Sequence, residues 1–188
     1  MQKSKLLLHI CCAPCSPHVI DLLKVDFELS AYFYDPNIHP EEEYLFRLEE
    51  MRRFSRQTKL PFIPAEYDPE RWFELTRGRE NDREGGERCG ICFKMRLERA
   101  VQFAKENNYN YFATVLTTSP HKNATVINRI GLELSEKYGV NFYAADFKKK
   151  DGFKISVQKG KEYGIKRQNY CGCIFSNTQK HDNQHGAT

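Results

Sequence analysis

The order of short apolar runs and helical patterns constrains the fold of this chain more than any other feature of its sequence. Apolar or aromatic runs of strand length lie at 5–10, 26–34, 61–67, 111–116 and 141–146. Helical patterns alternate with them, starting at Pro17 and then at 41–59, 70–77, 90–107, 123–138 and 155–163. Such alternation predicts an α/β fold, a Rossmann-like parallel sheet with helices on both faces.

Length and composition predict one domain. The chain has 188 residues, of which 40% are hydrophobic, enough for a substantial core. We expect residues 1–176 to form a single α/β catalytic domain and 177–188 to form a polar, disordered tail. No apolar stretch approaches the roughly 18 to 20 residues that span a membrane, and the N-terminus lacks a signal-peptide cleavage site. These features predict a cytoplasmic protein with no membrane partner.

The cysteines fall into three groups with none elsewhere. The seven thiols occur as "CCAPC" (Cys11, Cys12 and Cys15), "CGIC" (Cys89 and Cys92) and "CGC" (Cys171 and Cys173). In a chain expected in the cytoplasm, such groups indicate metal binding or redox chemistry more than structural disulfides. In parallel sheets, functional groups collect beyond the carboxyl ends of the strands. "CCAPC" follows the first strand, and the other groups are expected to reach the same edge.

Spacing leaves three chemistries open for these thiols. Cys12 and Cys15 share the three-residue spacing of Cys89 and Cys92, and two such pairs make a four-thiolate site. Four thiolates suit zinc or an iron–sulfur cluster, and a thiol–disulfide pair is the third alternative. The number of thiolates, their place at the ligand-binding edge and the absence of zinc-ribbon spacing favour iron. The predicted cluster ligands are Cys12, Cys89 and Cys92 with either Cys11 or Cys15.

Six ordered motifs show a family resemblance. "HICCAPCSP", "FYDPNIHPEEEY", "EGGERCGICFKMRL", "TTSPHKN", "FKKKDGFK" and "RQNYCGC" span nearly the whole chain. Together they resemble the cobalamin-independent epoxyqueuosine reductases (QueH). The resemblance implies an oxidoreductase of queuosine biosynthesis that removes the epoxide oxygen of epoxyqueuosine in the tRNA anticodon loop. It also implies a [4Fe–4S] cluster with one additional iron ion. The expected family form is "FYNPNIHP", so Asp35 is a departure and receives no essential role.

The implied reaction accounts for the number of cysteines. Converting an epoxide to an alkene and water consumes two electrons and two protons, which an iron–sulfur cluster fed by an external low-potential electron donor supplies. Four thiolates then hold a cluster, and up to three remain for a second metal. The fold is similar to that of the ATP-dependent tRNA-thiolating enzymes (PP-loop/HUP type). Their Ser-Gly-Gly-x-Asp-Ser signature is absent, so ATP use is not expected.

Other residues receive roles by their place in the sequence. In an extended "CGC" segment, Cys171 and Cys173 point to the same side and are expected to chelate one metal, completed by Asp151. Tyr170 is a candidate proton donor, with packing as its alternative role. Candidate substrate contacts follow the fourth and fifth strands, where loop capping or solvation is the alternative: His121, Lys122, Lys148, Lys149, Lys150 and Lys154.

Two other functions remain open from the sequence. One is a zinc-stabilised tRNA-binding module without chemistry, and the other is an iron–sulfur tRNA-thiolating enzyme. Colour discriminates between the redox enzyme and the zinc module, because an iron–sulfur protein absorbs visible light.

Overall fold

The computed structural model describes residues 3–176, which form one five-stranded parallel sheet covered by helices. The predicted polar tail at 177–188 lies outside the described residues. The strands are β1 (Ser4–His9), β2 (Phe27–Phe33), β3 (Phe62–Pro64), β4 (Tyr111–Thr114) and β5 (Asn141–Phe142). The helices are α1 (Pro17–Leu23), α2 (Glu41–Thr58), α3 (Pro69–Thr76), α4 (Glu87–Glu106), α5 (Ala124–Tyr138) and α6 (Gly152–Glu162). The predicted α/β class is confirmed.

The strand order creates one point where the chain reverses its direction across the sheet. The order is β3-β2-β1-β4-β5, with every pair parallel. Parallel crossovers are right-handed, so helices that lead outward in the two directions cover opposite faces. The switch point lies between β1 and β4. A crevice opens there at the carboxyl ends of the strands, where α/β proteins bind their ligands.

Both faces of the central strands are buried. Leu6, Leu7 and Leu8 of β1 are fully inaccessible to solvent, as expected for a parallel strand between two helical layers. α5 approaches β5 closely, because a Cβ atom at Gly131 would lie only 2.3 Å from the ring of Phe142. In the described part of the chain, no helix is long and apolar enough to span a membrane.

Some predicted boundaries differ from the observed ones. β4 was expected to continue to residue 116, but it ends at Thr114, whose hydroxyl accepts from the N–H of Leu116 and starts a 3-10 turn. β5 ends at Phe142 because it pairs only with the first two residues of β4. Ser16 precedes α1 as expected, yet its hydroxyl donates to the carbonyl of Cys12 (2.9 Å) and does not cap the helix.

Candidate metal centre

The first cysteine group is compact and buried at the switch point. Cys11 and Cys12 follow β1, and Cys15 ends the 3-10 turn Ala13–Cys15. Their three Sγ atoms lie within 4.8 Å of one another. The hydroxyl of Thr118, which follows β4, donates to the carbonyl of Cys15 (3.3 Å). The segments after β1 and β4 therefore fix this group, which we call the cysteine triad.

The spacing within the cysteine triad suits a single metal ion. The Sγ atoms of Cys11 and Cys12 are 3.8 Å apart. Two thiolates bonded to one tetrahedral ion at about 2.3 Å lie about 3.8 Å from each other. In a cubane cluster each thiolate binds a different iron, which separates the ligand sulfurs further. The donor set and its spacing therefore fit a mononuclear ion.

The remaining four cysteines line a second cavity, and we call them the cysteine tetrad. Cys89 and Cys92 lie in the first turn and a half of α4, whereas Cys171 and Cys173 arrive from the C-terminal side. All seven cysteines of the chain are free thiols, so no disulfide competes for them. This division differs from the expectation that Cys12 joins Cys89 and Cys92 in one site.

The two cavities adjoin at the carboxyl edge of the sheet. The first has a volume of about 450 Å³ and is lined by the cysteine triad, and the second has a volume of about 410 Å³ and is lined by the cysteine tetrad. Four residues line both cavities: Glu84, His121, Lys122 and Cys171. The two cysteine groups therefore face one shared region, and the expectation that all three sequence groups meet at this edge is confirmed.

Hydrogen bonds with α2 and with the loop before it hold the segment that carries the last two cysteines. The Arg47 guanidinium donates to the carbonyl oxygens of Tyr170 (3.3 Å) and Cys171 (3.2 Å). The N–H of His39 donates to the carbonyl of Gly172 (2.8 Å), and the Tyr170 hydroxyl donates to the carbonyl of His39 (2.9 Å). Because the Tyr170 hydroxyl donates its proton to this bond, Tyr170 is better placed to hold the segment than to donate a proton to a substrate.

The thiols and Lys122 are electrostatically linked. Hydrogen bonds from the other two triad thiols hold the pKa of Cys11 well below its ordinary value. A hydrogen bond from Cys173 has the same effect on the pKa of Cys171. Burial lowers the pKa of Lys122, but the thiolates of Cys11 and Cys15 outweigh burial and hold that pKa above its ordinary value. Each cysteine group thus contains one thiol whose anionic form is favoured, and Lys122 lines both cavities.

A cluster of buried polar side chains lies next to Cys92. Asp35, two residues after the end of β2, forms an ion pair with Arg96 of α4, and both side chains are almost completely buried. The Nη1 atom of Arg96 lies 4.0 Å from Sγ of Cys92. His9 lies 3.8 Å from the carboxylate of Asp35 and shares a 2.9 Å hydrogen bond with the Thr114 hydroxyl. Asp35 is therefore integrated into the site despite its departure from the expected motif.

The structure sorts the other predicted site residues into two sets. His121 and Lys122 lie at both cavities. Four candidate substrate contacts lie outside the cavity linings, three on the segment before α6 and the last in its first turn: Lys148, Lys149, Lys150 and Lys154. Asp151, the predicted metal ligand, lies immediately before α6. Its carboxylate pairs with Lys154 (2.9 Å), its side chain is 68% exposed, and it lines neither cavity.

Sequence reasoning missed residues that approach the cysteines only through the fold. Arg47, Phe153 and Arg167 line the first cavity, and Arg96 lines the second. The Arg167 guanidinium lies 4.5 Å over the ring of Phe153. Each of these residues is ordinary in its local pattern, because Arg47 and Arg96 lie within amphipathic helices. The burial of Arg47 and Arg96, which only the tertiary structure reveals, is the signal that distinguishes these two arginines.

Comparison with solved structures supports the fold. The U34-tRNA thiolase NcsA from Methanococcus maripaludis, solved with its [4Fe-4S] cluster, superposes with a TM-score of 0.59. The match covers 100% of this chain and 69% of the thiolase at 10% sequence identity. At that identity, the likeness concerns the fold alone, and it confirms the similarity to the fold of tRNA-thiolating enzymes.

Comparison with protein families and curated proteins places the chain by its sequence. The family profile "Epoxyqueuosine reductase QueH" matches residues 6–179. The QueH protein of Staphylococcus epidermidis is 39% identical over 183 residues, covering 93% of this chain and 77% of the relative. Those of Acinetobacter baylyi and Thermotoga maritima are 42% and 38% identical, covering 92% and 91% of this chain and 80% and 89% of the relatives. This chain therefore belongs to the QueH family of epoxyqueuosine reductases.

Proposed function

We propose that this protein reduces epoxyqueuosine to queuosine in the anticodon loop of tRNA. The observation that carries the proposal is the meeting of all seven cysteines at two adjoining cavities beside the switch point of the sheet. Family membership supports the reaction, and the cavities offer a place for it. In the reaction both carbon–oxygen bonds of the epoxide break, a carbon–carbon double bond forms, and oxygen leaves as water after uptake of two electrons and two protons.

The cofactors that we propose are a [4Fe–4S] cluster and one additional iron ion. The cysteine tetrad would hold the cluster and the cysteine triad would hold the single iron, because the 3.8 Å spacing of two triad sulfurs suits one ion. Low-potential electrons are the chemistry that the cluster supplies when bound, since no amino acid side chain delivers them singly. An external electron donor completes the system.

The chain's own residues prepare the first cavity for the substrate. Its volume of about 450 Å³ falls in the range of small-molecule sites, so it has room for a modified base. Lys122 lies at both cavities, where its cation is available to stabilise the negative charge that develops on the departing oxygen. Phe153 and Arg167 line the same cavity and offer flat surfaces for an unpaired base.

We propose tRNA carrying epoxyqueuosine as the partner and the cytoplasm as the location. Lys149 and Lys150 are exposed on the segment leading to α6, and Lys154 in the first turn of α6 is 81% exposed, as phosphate contacts require. Lys148 is more constrained, since its ammonium lies 3.3 Å from the Asp146 carboxylate. These lysines adjoin Phe153 in the sequence, so a tRNA backbone bound by them passes close to the first cavity.

The test is anaerobic purification followed by turnover. The protein is incubated with tRNA containing epoxyqueuosine and a low-potential chemical reductant, and nucleosides are quantified by mass spectrometry. We expect a brown protein that absorbs visible light and forms queuosine. The Cys171→Ser variant should lose turnover, and the control Lys137→Ala, which changes an exposed residue at the end of α5, should retain it.

Two results contradict the proposal. A colourless protein that contains stoichiometric zinc after anaerobic reconstitution indicates a zinc-stabilised tRNA-binding module. Incorporation of sulfur into tRNA without consumption of the epoxide indicates a thiolating enzyme. Iron and zinc contents measured on the same preparation separate the first result from simple loss of an oxygen-sensitive cofactor.

A further inference from the structure

Two charged side chains are buried beside the cysteine tetrad. Asp35 follows β2 and Arg96 lies on α4, and their side chains are 0% and 3% exposed. The Arg96 guanidinium bonds the Asp35 carboxylate on one side and approaches the Cys92 sulfur within 4.0 Å on the other. Arg96 therefore bridges an internal carboxylate to one thiol of the tetrad.

This ion pair is incompletely bonded. Within residues 3–176, the second Asp35 oxygen (Oδ2), the Nε atom of Arg96 and the Nε2 atom of His9 are buried without a hydrogen-bond partner. Desolvation of such a pair costs about as much as its attraction returns, and apolar residues of similar volume are often at least as stable. Stability alone does not explain the presence of Asp35 and Arg96 at this place. Their location against Cys92 points to the thiolate centre.

Arg96 and Asp35 act on that centre with opposite signs. A hydrogen bond to a ligand sulfur and a nearby positive charge both favour the reduced, more negative state of an iron–sulfur cluster. A nearby carboxylate disfavours that state. Inside a protein these effects are screened less than in water, so a buried charge acts strongly at short range.

We infer that the Asp35–Arg96 ion pair sets the reduction potential of the metal centre bound by the cysteine tetrad. Arg96 raises the potential through its charge and its contact with Cys92, and Asp35 lowers it by neutralising Arg96. Both are positioning residues that act through a ligand and do not touch the substrate. The inference rests on the proposed function, because it requires a reducible cluster at the tetrad.

The experiment is a spectroelectrochemical titration of the visible absorbance of the holoprotein. It is performed well above pH 7, because burial raises the pKa of Asp35 to about 7. Asp35→Asn should shift the midpoint potential to a more positive value, and Arg96→Gln should shift it to a more negative value. The double variant should lie between the two single variants. Arg99→Gln is the matched control, since Arg99 lies on the same helix but pairs with Glu106 near the surface.

The outcomes separate the inference from the proposed function. Potentials of Asp35→Asn and Arg96→Gln equal to that of the wild type, with full iron content, overturn the inference alone. A wild-type protein without any reducible metal centre overturns both. If Asp35→Asn does not fold, Asp35→Ser removes the same charge with a smaller side chain and is expected to shift the potential in the same direction. A shift of the same size in Arg99→Gln would also overturn the inference, because it would show a nonspecific charge effect.

Discussion

Arg47 joins α2 to the segment that carries Cys171 and Cys173. Its side chain is 3% exposed, and its Nε atom bonds the Glu43 carboxylate (2.7 Å) while its two terminal nitrogens bond carbonyl oxygens of the segment. Only a guanidinium offers these donors in one fixed fork. A single side chain thereby orients two cysteines that are far away in the sequence.

Changing Arg47 to Lys should release that segment although the charge is kept. We expect iron content to fall to less than half of the wild-type value, because an ammonium cannot bond Glu43 and both carbonyls together. Metal analysis of anaerobically purified protein measures this effect, with Arg56→Lys on the exposed face of the same helix as the control. Full iron content in Arg47→Lys would show that the segment keeps its position without the hydrogen bonds of the guanidinium.

Gly172 meets two requirements that other residues do not. Its φ angle is +99°, and a Cβ atom there would lie 2.8 Å from Cγ1 of Ile38 and 3.2 Å from Nη1 of Arg47. Gly172→Ala should therefore displace the flanking cysteines and strain the backbone by about 1 to 3 kcal/mol. We expect lost visible absorbance and a lower Tm. Gly160→Ala in α6, where a Cβ meets no atom within 4 Å, is the control, and equal behaviour of the two variants would refute the steric argument.

At the scale of elements, the sequence predicted the order of strands and helices better than their ends. Alternating apolar runs located all five strands and all six helices. The ends of β4 and β5 depend on contacts that a local pattern does not contain, such as the Thr114 hydroxyl that starts the 3-10 turn. α6 begins at Gly152 instead of residue 155. At Gly152 the chain passes so close to Phe147 that a Cβ atom would lie 1.9 Å from the Phe147 carbonyl oxygen.

An ion pair joins α1 and α6, and its contribution to stability can be measured as a function of pH. The Asp21 carboxylate lies 2.6 Å from the Lys159 ammonium and also pairs with Lys24. Burial raises the pKa of Asp21, but its hydrogen bonds with Lys159 and Lys24 outweigh burial and hold that pKa below its ordinary value of 3.8. The pair therefore stabilises the fold above pH 3.8, and this contribution disappears as the pH falls through the lower pKa of the folded state.

Replacing Asp21 with Asn should lower the free energy of unfolding by at most about 1 kcal/mol near pH 7, since the pair is partly exposed. The difference from the wild type should shrink in high salt and vanish under strongly acidic conditions. Denaturant titrations at several pH values measure it. Glu49→Gln, an exposed carboxylate of α2, is the control. A difference that grows as the pH falls would contradict the assigned sign.

At the scale of the whole molecule, the sequence indicated where the cysteines meet but not how they divide. The β/α alternation predicts a parallel sheet, and parallel strands bring the residues after β1 and β4 to the same edge. The grouping of Cys171 and Cys173 with Cys89 and Cys92 depends on the path of the chain after α6, which no local spacing encodes. The same long-range packing buries Asp35 against Arg96, although the sequence motif alone gave Asp35 no role.

The distribution of lysines over the molecule separates the proposed tRNA face from the opposite edge. Lys148, Lys149 and Lys150 follow β5 at the edge that holds the cysteines, whereas Lys24, Lys59 and Lys137 lie at helix ends that precede strands, at the amino edge of the sheet. Changing the first three to alanine should weaken tRNA binding. It should also reduce the slope of log K against log salt by up to about 2 to 3, at roughly 0.7 to 0.9 per lost phosphate contact.

Alanine at Lys24, Lys59 and Lys137 removes the same total charge from the amino edge and is the matched control. If long-range attraction alone binds tRNA, both triple variants should lose affinity equally, because net charge changes equally. If the lysines after β5 contact phosphates, their variant alone should show the shallower salt slope, and turnover of a free nucleoside should be affected less than turnover of tRNA. An unchanged salt slope in the first variant would therefore exclude these lysines as phosphate contacts even if its affinity fell.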